Sequence, residues 1–419
     1  MYRPVLFFAL LLSPFVNATE PDAANALQRA AYKDDIQSAE RLLRSGVNVN
    51  EANDLGATAL WAASQNGSVA MVRILLAAGA NPNLALLAGE TPLMVAARSG
   101  YAEVAELLIG KGANLNARGA RAQTALMWAA AQIHSGVVQV LLTHGADFKL
   151  RSEVRNEMMA VTPHGLDEYN RNIPQGGDTA LLFAARSGDL ASVKLLVAAG
   201  ANVNDANAWG VSATVMAAHS DFRGVAEYLL EKGADPNAAA AGFTALQVAI
   251  MHRDEQLVAA LLGHGADANA PLRTWTPTRR SSHDYNFEPT LVGATPFWLA
   301  ARFTEPGIMR LLAKHGADPR VIHTAEYVTA NFQHRKETTN ALMAAVGMGT
   351  GSAWSTLPRP EREARTLDAV RVAVDLGVDV NAAGPDGRTA LDAAMVLRFP
   401  SVVEFLTAKG AHPGQSARQ

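Results

Sequence analysis

"TPLMVAARSGYAEVAELLIGKGANLN", residues 91–116, holds in one stretch the two phrases around which the whole chain is written. In the first phrase Thr91 is a good helix N-cap and Pro92 a good first helical residue. The L-x-x-A-A spacing that follows gives a short helix with a small-residue face, which lets neighbouring helices approach closely. After a turn, the paired leucines Leu107 and Leu108 belong to a second helix, and Gly112 suits the left-handed position just past its end. One such pair cannot bury its apolar face alone, so the units must stack.

Both phrases recur along the chain. The closing one returns as "LLRSGVNVN" (42–50), "LLAAGANPN" (75–83), "LVAAGANVN" (196–204), "LLEKGADPN" (229–237) and "LLGHGADAN" (261–269), among others. Its glycines are Gly46, Gly79, Gly112, Gly145, Gly200, Gly233, Gly265, Gly316, Gly377 and Gly410, separated by 33, 33, 33, 55, 33, 32, 51, 61 and 33 residues. The opening phrase returns as "TALWAA" (58–63), "TALMWAA" (124–130), "TALLFAA" (179–185), "TALQVAI" (244–250), "TPFWLAA" (295–301) and "TALDAA" (389–394). Between the phrases, Asn or Asp with a further glycine, such as Gly56 or Gly210, shapes a β-turn.

This pattern resembles the ankyrin repeat. The family signatures T-P-L-H-x-A-A and L-L-x-x-G-A-D-x-N are matched by "TPLMVAA" (91–97) and "LLEKGADPN" (229–237), and the likeness covers residues 25 to 414 in ten units. The resemblance implies an all-α solenoid: a curved stack of helix-turn-helix units, short helices inside, longer ones outside, and β-hairpin fingers towards the concave side. It also implies protein–protein interaction without catalysis. The sequence departs from the family where Trp61, Met94, Met127, Leu182, Val215, Gln247, Trp298 and Met343 stand at the usual histidine. The unit at 340–377 lacks the capping threonine and the paired leucines, so it is expected to be the loosest. Polar Gln28 and Arg29 at one end, and Asp392, Arg398 and Lys409 at the other, read as caps.

Three units are longer than the rest. From the closing glycine to the next opening phrase a regular unit needs 12 residues, but 34 separate Gly145 from Thr179, 30 separate Gly265 from Thr295, and 24 separate Gly316 from Asn340. The insertions near 152–177, 270–290 and 318–338 therefore fall in the fingers. A fourth, near 347–365, separates the two helices of its own unit. The segment 152–177 is expected to form a short helix after Ser152 before a Pro-Gly turn. The segment 273–290 carries Trp275, Arg279, Arg280, His283, Tyr285 and Phe287, which are costly to expose and typical of interface anchors. They either meet a partner or fold back on a neighbouring finger, for example around Trp209. At the inner helix ends Arg98, Arg186 and Arg302 could line a groove for an acidic or carboxylate-bearing ligand, or be ordinary solvated surface.

Other chemistry is scarce. "HRD" (252–254) lies at an inner-helix end without a glycine-rich loop, and "GMGTGS" (347–352) has no lysine and follows a helix. His144, His264 and His315 complement helix C-termini better than they share a metal. The chain has no cysteine, which removes disulfides, thiolate zinc sites and cysteine nucleophiles. The expectation is no enzyme, no cofactor and no metal. A net charge of −3 over 419 residues gives no reason to expect nucleic acid or an anionic membrane as partner. The first residues, "MYRPVLFFALLLSPFVNATE", read as a secretory signal: Arg3, an apolar run, and a small-residue cleavage site that puts the mature start near Thr19. The expected organisation is a signal at 1–18, the repeat domain at 19–414 and a disordered tail at 415–419. A monomer exported to the bacterial periplasm or secreted would then bind a partner protein of the envelope. A small anionic or peptide ligand held by the arginine groove is the alternative.

Overall fold

The computed structural model describes residues 23–159, 170–276, 287–328, 333–349 and 357–415. The signal at 1–18 lies outside the described residues, as do Arg279, Arg280, His283 and Tyr285. The chain forms two compact units, residues 1–120 and 121–419. Among the described residues there are twenty α-helices and four β-strands, and the helices alternate between a first and a second series. In 1–120 the inner helices Ala23–Tyr32, Ala59–Asn66 and Pro92–Ser99 pack side by side, as do the outer helices Ile36–Arg44, Val69–Ala77 and Ala102–Ile109. The same two-layer stacking runs through 121–419. Both layers meet in a core of small inner residues, such as Ala96 and Ala97, and larger outer ones, such as Val104 and Leu108, all fully buried. Each large aliphatic side chain so buried stabilises the fold by about 1.5–3 kcal/mol.

The opening phrase works as a cap. Thr91 and Thr295 accept a hydrogen bond from the third helical residue's N–H, and Asn340 does the same where threonine is missing. The position usually held by histidine is partly recovered by other polar atoms. Gln247 accepts from Thr244 N at 2.9 Å and donates to Ala270 O at 2.9 Å, while Trp298 Nε1 donates to Thr339 Oγ1 at 3.2 Å.

The residue between the two helices of a unit is left-handed throughout. Gly67, Gly100 and Gly188 fill it in three units, but Asp34, Ile133, Asp221, Arg253, Thr304 and Arg398 fill it elsewhere, with φ between 54° and 64°. Glycine is required where the next unit brings a ring against it. A Cβ on Gly188 would come within 2.4 Å of the Phe222 ring, and one on Gly67 within 2.5 Å of the Tyr101 ring. Elsewhere the backbone carries the strain of a side chain, which is largest for the β-branched Ile133 and Thr304.

The closing asparagine staples one unit to the next. Asn83 donates to Gly112 O at 2.9 Å and accepts from Asn114 N at 2.7 Å. Asn237 binds Gly265 O at 2.9 Å and Asp267 N at 2.7 Å in the same manner. Asn50, Asn204, Asn269 and Asn381 repeat the pattern.

The long fingers differ from one another. The segment expected to hold a short helix forms instead an antiparallel ribbon of β1 (Arg155–Met159) and β2 (Arg171–Gln175), with Glu157 opposite Ile173. Its base is closed by Ser152 N on Asp178 O at 2.9 Å and Asp178 N on Ser152 Oγ at 3.0 Å, which uses the hydroxyl expected to cap a helix. A second ribbon pairs β3 (His323–Val328) with β4 (His334–Thr339). The fourth insertion lengthens an outer helix, Arg359–Asp375, to 17 residues. Its added turns tie the unit expected to be loosest to both neighbours. Arg365 pairs with Glu305 at 3.1 Å, Glu363 accepts from Ser401 Oγ at 2.7 Å, and Arg362 lies over the Phe399 ring. The last helix pair is not the polar cap expected from Asp392, Arg398 and Lys409. Asp392 is engaged in a capping box with Thr389, and Met395 and Val396 stand exposed beside it.

Candidate partner-binding surface

The fingers of 121–419 carry the side chains singled out in the sequence, and they hold one another. At the foot of the first ribbon, Arg151 donates to Gly177 O at 2.7 Å and Ala206 O at 2.9 Å and pairs with Asp205. Ala208 N donates to Gly176 O at 3.0 Å, so β2 is joined to the next finger. The ribbon then reaches further along. Arg171 of β2 donates to Thr274 Oγ1 at 3.3 Å and lies 4.9 Å from the Trp275 ring centroid, a cation–π contact across 103 residues of sequence.

The described ends of the 273–290 insertion pack downward. Trp275 is 4% exposed and Phe287 is 1% exposed. Thr276 N donates to Phe287 O at 3.0 Å, and Arg273 N donates to Gly242 O at 2.9 Å. Phe287 lies 5.8 Å from Phe243, which meets Trp209 edge-on at 5.6 Å. Folding back towards Trp209 thus describes Trp275 and Phe287, while Trp209 itself remains half-buried.

The arginines at the inner helix ends share one repeat position and meet three environments. Arg98 pairs with Glu90, and Arg186 pairs with Asp178 at 3.0 Å. Each carboxylate stands just before its unit's capping threonine. Burial pushes the Glu90 carboxyl up, and Arg98 opposes that shift. In the third unit the equivalent residue is Ala294, and Arg302 is 3% exposed. Burial lowers the Arg302 guanidinium's pKa, and the negative charges of Glu288, from the insertion, and Glu337, from β4, act against this. Arg302 therefore anchors the feet of two enlarged fingers rather than lining an open groove.

Around it, Tyr327 donates to Glu337 Oε1 at 2.8 Å, and His323 stacks on Trp298 at 4.2 Å with Nε2 2.9 Å from Thr290 O. Burial pushes the His323 imidazole's pKa down, favouring the neutral ring.

The outward face of the first ribbon is open. Val154 is 54% exposed and Met158 is 64% exposed, two alternate steps apart on one side of β1. Sequence reasoning passed over these two, together with Arg171, Phe243, Glu288 and Glu337. The alternation of Val154, Asn156 and Met158 was the one signal that could have found the open face. Elsewhere, "HRD" is an interhelical turn in which Asp254 caps the following helix through Leu257 N. Among the described residues no three His, Cys, Asp or Glu side chains are grouped to hold a metal, and no helix is long and apolar enough to cross a membrane.

The fold and its joined fingers agree with comparisons to known proteins. A family profile of ankyrin repeats in three copies matches residues 5–86, 78–152, 161–240 and 181–271, together more than half of the chain. An ankyrin repeat and KH domain-containing protein of Caenorhabditis briggsae is 30% identical over 245 residues. That alignment takes in 58% of this chain but spans 9% of the relative's length. Stacked helix pairs, threonine-capped inner helices, glycine-ended outer helices and projecting hairpins therefore have one reading: this chain belongs to the ankyrin repeat family, whose members are typically non-enzymatic scaffolds for protein–protein interaction.

Proposed function

We propose that this chain is a non-catalytic scaffold which recognises a partner protein in the cell envelope through its enlarged fingers. The observation that carries the reading is the open outward face of the first ribbon. Val154 and Met158 are exposed there on a finger whose other side is fixed by Ile173 and Arg171. A rigidly held strand with alternate apolar side chains offers a partner both surface and backbone edge. The alternative, a small anionic ligand among the inner-helix arginines, has less support, because Arg98 and Arg186 are paired with carboxylates and Arg302 is buried between fingers.

Export rests on the N-terminal sequence, and the lack of cysteine is compatible with either redox compartment. The N-terminal sequence of protein recovered from the envelope fraction is expected to begin near Thr19, and recovery from the cytosol with Met1 intact would remove the envelope from the proposal. The binding test is affinity capture from an envelope extract, followed by titration of whatever co-purifies. Val154→Asp with Met158→Asp is expected to weaken that binding at least tenfold while leaving the helical circular dichroism unchanged. Undiminished binding would move the site off the ribbon. Replacing 273–290 as a whole is a poorer test, because Trp275 and Phe287 are part of the packed interior.

A further inference from the structure

We infer that the Trp275 ring is a receptor for a guanidinium group, occupied here by Arg171 of the same chain, and that a partner protein takes this place with an arginine of its own. The inference rests on the protein-binding reading above and adds the chemistry of the partner. Arg171 is an unusual neighbour for Trp275. It belongs to β2, and the fingers that close at Gly210 and Gly242 come between the two residues in sequence. The second of these fingers is only alanine at 238–241, so it offers the ribbon no long side chain to hold.

The receiving side is rigid. Trp275 is 4% exposed, its neighbours are tied by Thr276 N on Phe287 O and Arg273 N on Gly242 O, and the Trp209–Phe243–Phe287 row lies alongside. The visiting side is not. Arg171 is exposed, its hydrogen bond to Thr274 is long at 3.3 Å, and among the described residues no carboxylate pairs with it. The arginines at 98 and 186 each have a carboxylate, so the aromatic face is what this guanidinium has in its place.

A planar guanidinium can stack on the ring and still donate in its own plane to Thr274. An ammonium on a lysine stem cannot do both so readily. Release of Arg171 leaves the ribbon held at its foot by Ser152, Asp178 and Ala208, and frees the Trp275 face without unfolding the array. Partner binding and ribbon release are then one exchange of one cation for another.

The test uses the full chain carrying 5-fluorotryptophan, with the Trp275 resonance assigned by Trp275→Phe. The probe is the peptide acetyl-Arg-Gly-Arg-amide, and the control is its norleucine counterpart. Arg171→Ala is expected to bind the arginine peptide about tenfold more tightly than the unaltered chain, the scale of one cation–π contact with one hydrogen bond. Arg171→Gln is expected to behave like Arg171→Ala, and the control peptide is expected to leave the resonance in place. A Trp275 signal that ignores the arginine peptide in both variants, or responds at equal concentration with and without Arg171, would overturn the inference. Either result leaves the capture experiment with Val154→Asp and Met158→Asp unaffected, so failure here is distinct from failure of the scaffold reading.

Discussion

Residues 23–120 and residues 121–415 repeat the same helix pair and differ in how the fingers end. In the first region the fingers are short turns, adjacent tips are joined by Leu87 N on Leu55 O at 3.0 Å, and both leucines stand exposed. In the second region the fingers grow into ribbons and clasp one another through Arg171, Trp275, Arg151 and Arg302. The stapling asparagine marks the difference. It is present as Asn50 and Asn83 before the short fingers, and it is replaced by Lys149 and Arg320 before the two ribbons. Before the third long finger Asn269 is kept, and the described ends of that finger pack down onto Phe243 instead of rising as a ribbon. A unit can thus join its neighbour through a backbone staple or through the side chains of an enlarged finger.

The sharpest way to break this comparison is to remove the same arginine from both regions. Arg302→Met is expected to destabilise 121–419 by about 3 kcal/mol, because Glu288 and Glu337 would be left without the buried cation. Arg98→Met, at a half-exposed pair, is expected to cost less than about 1 kcal/mol. Equal losses in urea unfolding would show that Arg302 is not an anchor. Next in size, Asn237→Ala removes both staple bonds and is expected to cost about 2 kcal/mol. Lys149→Asn is expected to change little, since Arg151 already bridges to the following fingers at Gly177 and Ala206.

A gain of about 1 kcal/mol is expected from Thr304→Gly or Ile133→Gly, which relieve a left-handed β-branched residue. Gly188→Ala should go the other way, since Phe222 occupies the space. The smallest effect concerns pH. Burial lowers the pKa of His323 and of His252, and His219 adds to the lowering at His252. The folded state keeps both rings neutral, so their contribution is complete above the ordinary histidine value of about 6.5 and is lost as pH falls through it towards the lowered folded values. The melting temperature is expected to drop between pH 7.5 and 5.5, and His323→Gln should flatten part of that slope.

Much of the fold was legible because it repeats a local rule. Threonine before a small-faced helix, paired leucines before a left-handed glycine, and a period of 33 residues are each fixed within one unit. The site was legible only as a location. The excess lengths pointed to the fingers, and Trp209 and Trp275 were named, but the ribbon at 155–175 looked helical because the closure of Ser152 on Asp178 spans 26 residues. Arg302 looked like Arg98 because nothing local distinguishes them beyond Ala294 standing where Glu90 stands.

By itself the sequence determined the unit: which residues cap, which bury, where each helix stops and where extra chain is inserted. Those are interactions between residues a few positions apart, and one chain displays them directly. Only the tertiary structure decided what the inserted chain does, because Arg171 finds Trp275 and Arg302 finds Glu288 and Glu337 after the stack has brought separate fingers side by side. Contacts between fingers depend on the spacing of the stacked helices beneath them, and that spacing is written in no single segment.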